Sequence, residues 1–218
     1  MLSPIVWQML TQSLKETVYM VGISVALAEL IGIPLGVILV ITAKDGIAEN
    51  PWLNRLLSAI VNIARSIPFI ILLVAIIPFT RMVVGTSIGT AAATVPLTVA
   101  AIPFVARVVE TALNEVDPGV VEAAASMGAS TWQVITKVLL PEARPSLAAG
   151  VTLTTINLIG YSAMAGAVGG GGLGDLAIRY GYQRFRGDIM FLTVLVLVLL
   201  VQLLQMVGDI IVARLSHK

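Results

Sequence analysis

Cysteine is absent from the 218-residue chain, and its one histidine, His217, stands next to the C-terminus. The first absence excludes disulfides, thiolate metal sites and a thiol nucleophile. The second leaves no histidine pair for a metal and no buried imidazole for acid–base work. Charge is also scarce: 11% of residues are charged, 58% are hydrophobic, and the net charge is +1. Soluble domains carry roughly 25% charged residues. A soluble globule of this size could not hide so much apolar surface, and a disordered chain would not contain it. So small a net charge gives no basic face for a nucleic acid. No Gly-x-x-x-x-Gly-Lys-Ser/Thr loop occurs, so the chain has no phosphate cradle of that kind for ATP.

The gaps between charges mark the elements. Residues 82–106, 145–174 and 189–208 carry no charge, and 17–43 carry only Glu29. Each stretch is long enough for the ~20 residues that a membrane-crossing helix needs. Residues 66–80 are also free of charge and reach span length if extended back past Arg65. The expected fold is therefore all-α, a polytopic membrane helix bundle with spans over about 17–43, 56–79, 88–109, 145–168 and 189–212. The apolar runs do not alternate, which excludes a transmembrane β-barrel. The first residues lack the basic start of a cleaved signal peptide. Ile5, Val6, Met9, Leu10 and Leu14 share one helical face there, so residues 1–12 read as an interfacial segment. Residues 13–212 form the transmembrane domain, and 213–218 a C-terminal tail.

Five spans put the termini on opposite sides. Lys44, Arg55, Arg65, Arg107, Lys137, Arg144, Arg214 and Lys218 fall on one side, with Arg65 near its edge. Lys15, Arg81, Arg179, Arg184 and Arg186 fall on the other. The larger set is expected in the cytoplasm, which leaves the N-terminus outside.

The longest polar insertion, residues 117–144, has its own helix punctuation. Asp117 can cap a helix that has Pro118 at its first position, and Gly128 can stop it. Ser130 and Gln133 form a second start, a capping box, and Pro141 is expected to end that helix. Two short helices should meet at an angle at Gly128, presenting Ala123, Ala124, Ala125 and Ser126 as a nearly bare surface beside Glu122.

The spacing in this insertion is specific. Glu122-Ala123-Ala124, three residues, Gly128, nine residues, Val138, one residue and Leu140-Pro141 resembles the EAA loop of ABC-importer permeases. Val138 replaces the family's isoleucine. Arg65-Ser66-Ile67-Pro68-Phe69 is similar to a further element of that family. The glycine-rich stretch 166–185 and the compact five-span layout resemble its methionine-importer subgroup. The resemblance implies a permease subunit, not an enzyme, in the bacterial cytoplasmic membrane. Its partners would be a second copy of itself, two ATPase subunits and an external solute-binding protein, within the lipid bilayer and with no nucleic acid. ATP and magnesium would sit on the ATPase, leaving this chain without a cofactor. Glu122, Ala123, Ala124, Gly128, Leu140 and Pro141 would form the ATPase-coupling loop. Another small amino acid or a peptide-like solute stays open as cargo. An ion-coupled secondary transporter is the rival class, which would need inverted repeats or several intramembrane acids.

Other residues carry weaker signals. Thr154, Asn157 and Tyr161 recur along one face of the fourth span, with Ser162 and Met164 adjoining, and are candidates for the substrate pathway or for bonds between helices. Gly169, Gly171 and Gly174 fit a dinucleotide pattern, but no strand precedes them, so a break after the fourth span is expected. Arg179, Tyr180, Tyr182, Arg184, Phe185 and Arg186 read as headgroup anchors or a receiving surface for the binding protein. Glu29 is expected to find a pairing partner, or to lie at a subunit contact, and Gly32 and Gly36 to mark close helix packing.

Overall fold

A computed structural model describes residues 4–216; His217, Lys218 and the first three residues of the expected N-terminal segment lie outside them. Among the described residues every regular element is a helix. They are α1 (Pro4–Ile41), α2 (Pro51–Ser66), α3 (Phe69–Ala75), α4 (Ile77–Val84), α5 (Thr90–Asn114), α6 (Pro118–Ser126), α7 (Thr131–Val134), α8 (Leu140–Glu142), α9 (Arg144–Gly166), α10 (Gly172–Leu176) and α11 (Gly187–Ser216). Wider π turns over Ile135–Leu139 and Ala177–Tyr182 join α7 to α8 and extend α10. Four helices, α1, α5, α9 and α11, are long and apolar enough to cross a membrane, and α2 with α3 makes a fifth, bent span.

α1 runs unbroken through both the segment read as interfacial and the first span, 38 residues in all. At 1.5 Å per residue it is about 57 Å long. Its start is packed inside the molecule on one side: Val6 and Leu10 are buried against Leu173, Leu176 and Ile189. Its middle lies along α5 in the most extensive helix pair of the bundle. Gly32 and Gly36 make this possible. A Cβ at Gly32 would stand 2.6 Å from Val105 Cγ1, and one at Gly36 would stand 2.6 Å from Val109 Cβ. In lipid, where apolar burial gives helices little reason to associate, such backbone approach is a main source of packing.

The second span differs from a straight helix over 56–79. It breaks at Ile67–Pro68 and turns through 99°. Proline disfavours the helical conformation in the residue before it, and Ile67 is extended at φ −82°, ψ 121°. The core between α1, α3, α5 and α9 is built from Met20, Ala28, Phe69, Leu97, Val105 and Leu158. By contrast, α11 leaves Leu199, Leu203, Met206 and Ile210 exposed, as a surface for lipid or for another chain.

The charges sort by end. The turn after α1 (Val40, Lys44, Ile47) and the start of α6 (Pro118, Glu122) line one groove. At the opposite end the Gly172 N–H donates to Glu16 Oε2 (2.9 Å), the Leu173 N–H to Thr17 Oγ1 (2.9 Å) and the Gly89 N–H to the Gly169 carbonyl (2.9 Å). The glycine-rich break is thus pinned to α1 and to the start of α5. Its dihedrals explain the glycines: φ is +87° at Gly169, +79° at Gly171 and +77° at Gly172.

Candidate functional site

The polar insertion forms an elbow whose geometry follows from local chemistry. Asp117 Oδ1 accepts the Gly119 N–H at 2.8 Å and starts α6. Gly128 ends it in the left-handed region at φ +81°. The Gly128 N–H donates to the Ala125 carbonyl (2.9 Å), and the Ala129 N–H reaches back to Ala124 (3.1 Å). This pair of bonds is a Schellman closure, which satisfies the last carbonyls of a helix and fixes the exit direction of the chain. The capping box then opens α7: the Ser130 N–H donates to Gln133 Oε1 (2.8 Å), and the Gln133 N–H to Ser130 Oγ (3.3 Å).

Pro141 does not end the second helix of the elbow, contrary to its sequence expectation. A proline ring clashes with the carbonyl four residues earlier, here Lys137. Lys137 lies in the π turn, where the Leu140 N–H bonds five residues back to the Ile135 carbonyl. The widened turn accommodates the ring. The chain therefore continues from α7 through α8 into α9, with the Ala143 N–H on Leu139 (3.0 Å) and the Leu147 N–H on Ala143 (2.8 Å).

The residues expected to form the coupling loop divide by exposure. Glu122, Ala123 and Gly128 are exposed, and beside them Met127 is 88% and Trp132 71% exposed. Ala124, Val138 and Leu140 pack against the core, and Pro141 is half-buried beside them. The elbow has a bare outer face and a rooted inner one. Sequence reasoning did not single out Met127 and Trp132; they flank the Gly128 stop and the Ser130 capping box, where a large apolar side chain has no helix face to join.

A second site lies at the bend of the second span. Ala64, Arg65, Ile67, Phe69, Leu72, Ala100, Phe104, Asn157 and Tyr161 enclose a cavity of about 240 Å³. Phe69 and Tyr161 stack in its wall, with ring centroids 4.6 Å apart and planes 2° from parallel. Arg65 also borders a larger cavity of about 640 Å³, together with Arg107, Glu115, Ser146, Gln205 and Asp209. Of the pathway candidates, Asn157 and Tyr161 face the smaller cavity. Thr154 and Ser162 are buried, with hydroxyls donated to their own helix at Gly150 (2.8 Å) and Ile159 (2.8 Å). Met164 is exposed and lines neither cavity. Arg65 is exposed at the bend and borders both cavities, between Ala100 and Phe104 of α5 and Asn157 and Tyr161 of α9 in the smaller one.

Two further sequence candidates are placed. Glu29 is half-buried in α1, and its Oε1 has no hydrogen-bond partner among the described residues. Near the glycine-rich end, Arg179 pairs with Asp175, Arg186 with Asp188 at 2.7 Å, and Arg184 lies 4.4 Å over the Tyr180 ring. Phe185 is 91% exposed there.

Comparison with known proteins gives a consistent set of matches. Residues 32–218 match the family described as binding-protein-dependent transport system inner membrane component. A protein of Vibrio cholerae named as a probable D-methionine transport system permease, MetI, is 57% identical over 203 residues, covering 93% of this chain and 90% of that one. The protein of the same name from Pasteurella multocida is 50% identical over 217 residues and covers 100% of both chains. A crystal structure of an inward-facing conformation of the MetNI methionine ABC transporter contains a chain that superposes with a TM-score of 0.97 at 50% identity, covering 98% of this chain and 99% of that one.

Proposed function

The chain belongs to the family of binding-protein-dependent transport system inner membrane components, and from that premise we propose that it is the membrane-spanning permease subunit of an ATP-driven methionine importer. It is not itself an enzyme. Two copies would form the pathway, two ATPase subunits would bind the elbows, and an external binding protein would deliver the solute. The named functions of its relatives supply the cargo.

The observation that carries this reading is the elbow. A coupling device needs a rigid knob whose displacement reaches the membrane helices. Here the knob is α6 and α7, locked by the Schellman closure and the capping box. The continuous path from α7 through α8 into α9 joins it to the helix that carries Asn157 and Tyr161. Closure of the ATPase dimer on the elbow would therefore turn α9 and reshape the cavities it borders.

Orientation follows from the same end. Lys44, Lys137 and Arg144 lie with the elbow, and an elbow gripped by an ATPase must face the cytoplasm. On this reading the N-terminus and the glycine-rich end would lie outside, in a multi-pass protein of the bacterial cytoplasmic membrane. The elbow, rather than the charge count, carries this assignment.

Reconstitution tests the reading. Liposomes containing this chain, its partner P-loop ATPase and the binding protein should accumulate radiolabelled methionine only with ATP. Uptake driven by an ion gradient in the absence of the ATPase would contradict it and favour the secondary-transporter class.

A further inference from the structure

We propose that the cavity at the bend of the second span is a resting site for the solute inside the membrane, and that Arg65 binds its carboxylate there. This rests on the reading of the chain as an amino-acid importer. The starting observation is a charge without a counterpart. Arg107, which borders the neighbouring cavity, is held by Glu110 Oε2 at 2.6 Å and by Asn62 Oδ1 at 2.8 Å. Glu115 accepts the Ser146 hydroxyl at 2.6 Å, and Asp209 accepts Gln205 Nε2 at 2.8 Å. Arg65 has no ion pair and no side-chain hydrogen bond among the described residues. A guanidinium cannot give up its proton, so the charge persists. Arg65 is exposed to the cavities within the bent second span, and an ionisable residue inside a span is a functional site by default.

The surroundings fit a small zwitterion with an apolar side chain. Among the described residues, Arg65 is the only charged one lining the smaller cavity. Its planar fork matches a carboxylate with two parallel hydrogen bonds. For the ammonium group, the broken helix supplies acceptors. Pro68 brings no N–H to the Ala64 carbonyl, which belongs to the cavity wall at the negative end of α2. Phe69, Tyr161, Leu72 and Phe104 present aromatic and aliphatic surface to the side chain, where a thioether makes favourable contacts with ring edges. At about 240 Å³ the space falls below the ~300 Å³ at which drug-sized pockets begin, as suits a free amino acid. Because Arg65 borders both cavities, it can hold the carboxylate as the solute moves from one to the other.

The test uses the complete transporter in detergent and in liposomes, with assembly checked by co-purification of the ATPase. Wild type should bind radiolabelled methionine saturably without the binding protein and should discriminate against methioninol, which lacks the carboxylate. Arg65→Gln should weaken methionine binding by about tenfold or more, the range expected for losing a hydrogen bond to a charged group. It should also bind methionine and methioninol alike, and Arg65→Lys should restore part of the preference. A fold defect would weaken both ligands together and leave their ratio unchanged, which would overturn the assignment. Normal binding and uptake by Arg65→Gln would overturn it too, with the importer reading intact. Absence of ATP-driven methionine uptake by wild type would instead overturn the functional reading itself.

Discussion

The Ala129 N–H donates to the Ala124 carbonyl at 3.1 Å, closing the chain around Gly128. Nothing stands within 4 Å of where a Gly128 Cβ would be, so space does not demand glycine there; the positive φ does. A residue with a Cβ in the left-handed region costs about 1–2 kcal/mol, and asparagine and aspartate pay least. Gly128→Val should therefore re-aim α7 and abolish uptake, while Gly128→Asn keeps a measurable part of it. Both variants should purify as folded protein, because Gly128 itself is exposed and touches no core residue. Uptake in liposomes, with melting temperature as the control, checks this.

Close approach of α1 and α5 sets a second expectation. Gly32→Val forces a branched side chain into Val105, and over-packing of this kind costs typically 1–3 kcal/mol. Thermal unfolding in detergent should shift downward, and Val105→Ala on the same chain should recover part of the loss. A Gly32→Val melting temperature equal to wild type would show that the helices are not held at this point.

Thr17 is 1% exposed and accepts the Leu173 N–H. Thr17→Val keeps the shape and removes the acceptor, leaving a buried donor unpaired at a cost of about 1–3 kcal/mol. Amide exchange at Leu173 and along the glycine-rich break should accelerate more than exchange in α9. Uniform acceleration across the bundle would mean that the break is not a separate unit.

Stacking of Phe69 on Tyr161 is worth about 0.5–1.5 kcal/mol. Tyr161→Phe preserves the stack, so uptake should stay close to wild type. Tyr161→Ala should lower it by roughly twofold to tenfold, the same energy read as a rate. Equal losses in the two variants would assign the effect to the hydroxyl instead.

Much of the elbow was legible in the sequence because its determinants are local. Asp117, Gly128, Ser130 and Gln133 each act within a few residues, and the structure uses all four for capping and closure. The break in the second span was not legible from its proline. Pro34, Pro96 and Pro103 lie inside intact helices, and only at Pro68 does the chain turn. Neighbouring helices decide that difference, since freed backbone groups in a membrane helix can be satisfied from outside it. Thr154 and Ser162 look available in a one-helix projection; in the structure their hydroxyls bond their own backbone, as a hydroxyl in a helix readily does. Arg65 joined Asn157 and Tyr161 around one cavity only once the bend had set α2 against α5 and α3 against α9.

The most direct test of the account uses the absence of cysteine, which makes any introduced thiol unique in the chain. Ala123→Cys places one on the exposed face of the elbow, and Val168→Cys places one at the opposite end. In intact cells a membrane-impermeant maleimide should label Val168→Cys and leave Ala123→Cys unmodified. In the purified complex a short thiol cross-linker should join Ala123→Cys to the ATPase subunit. Labelling of Ala123→Cys from outside, or an elbow that cross-links to no ATPase in an actively transporting complex, would contradict the coupling role.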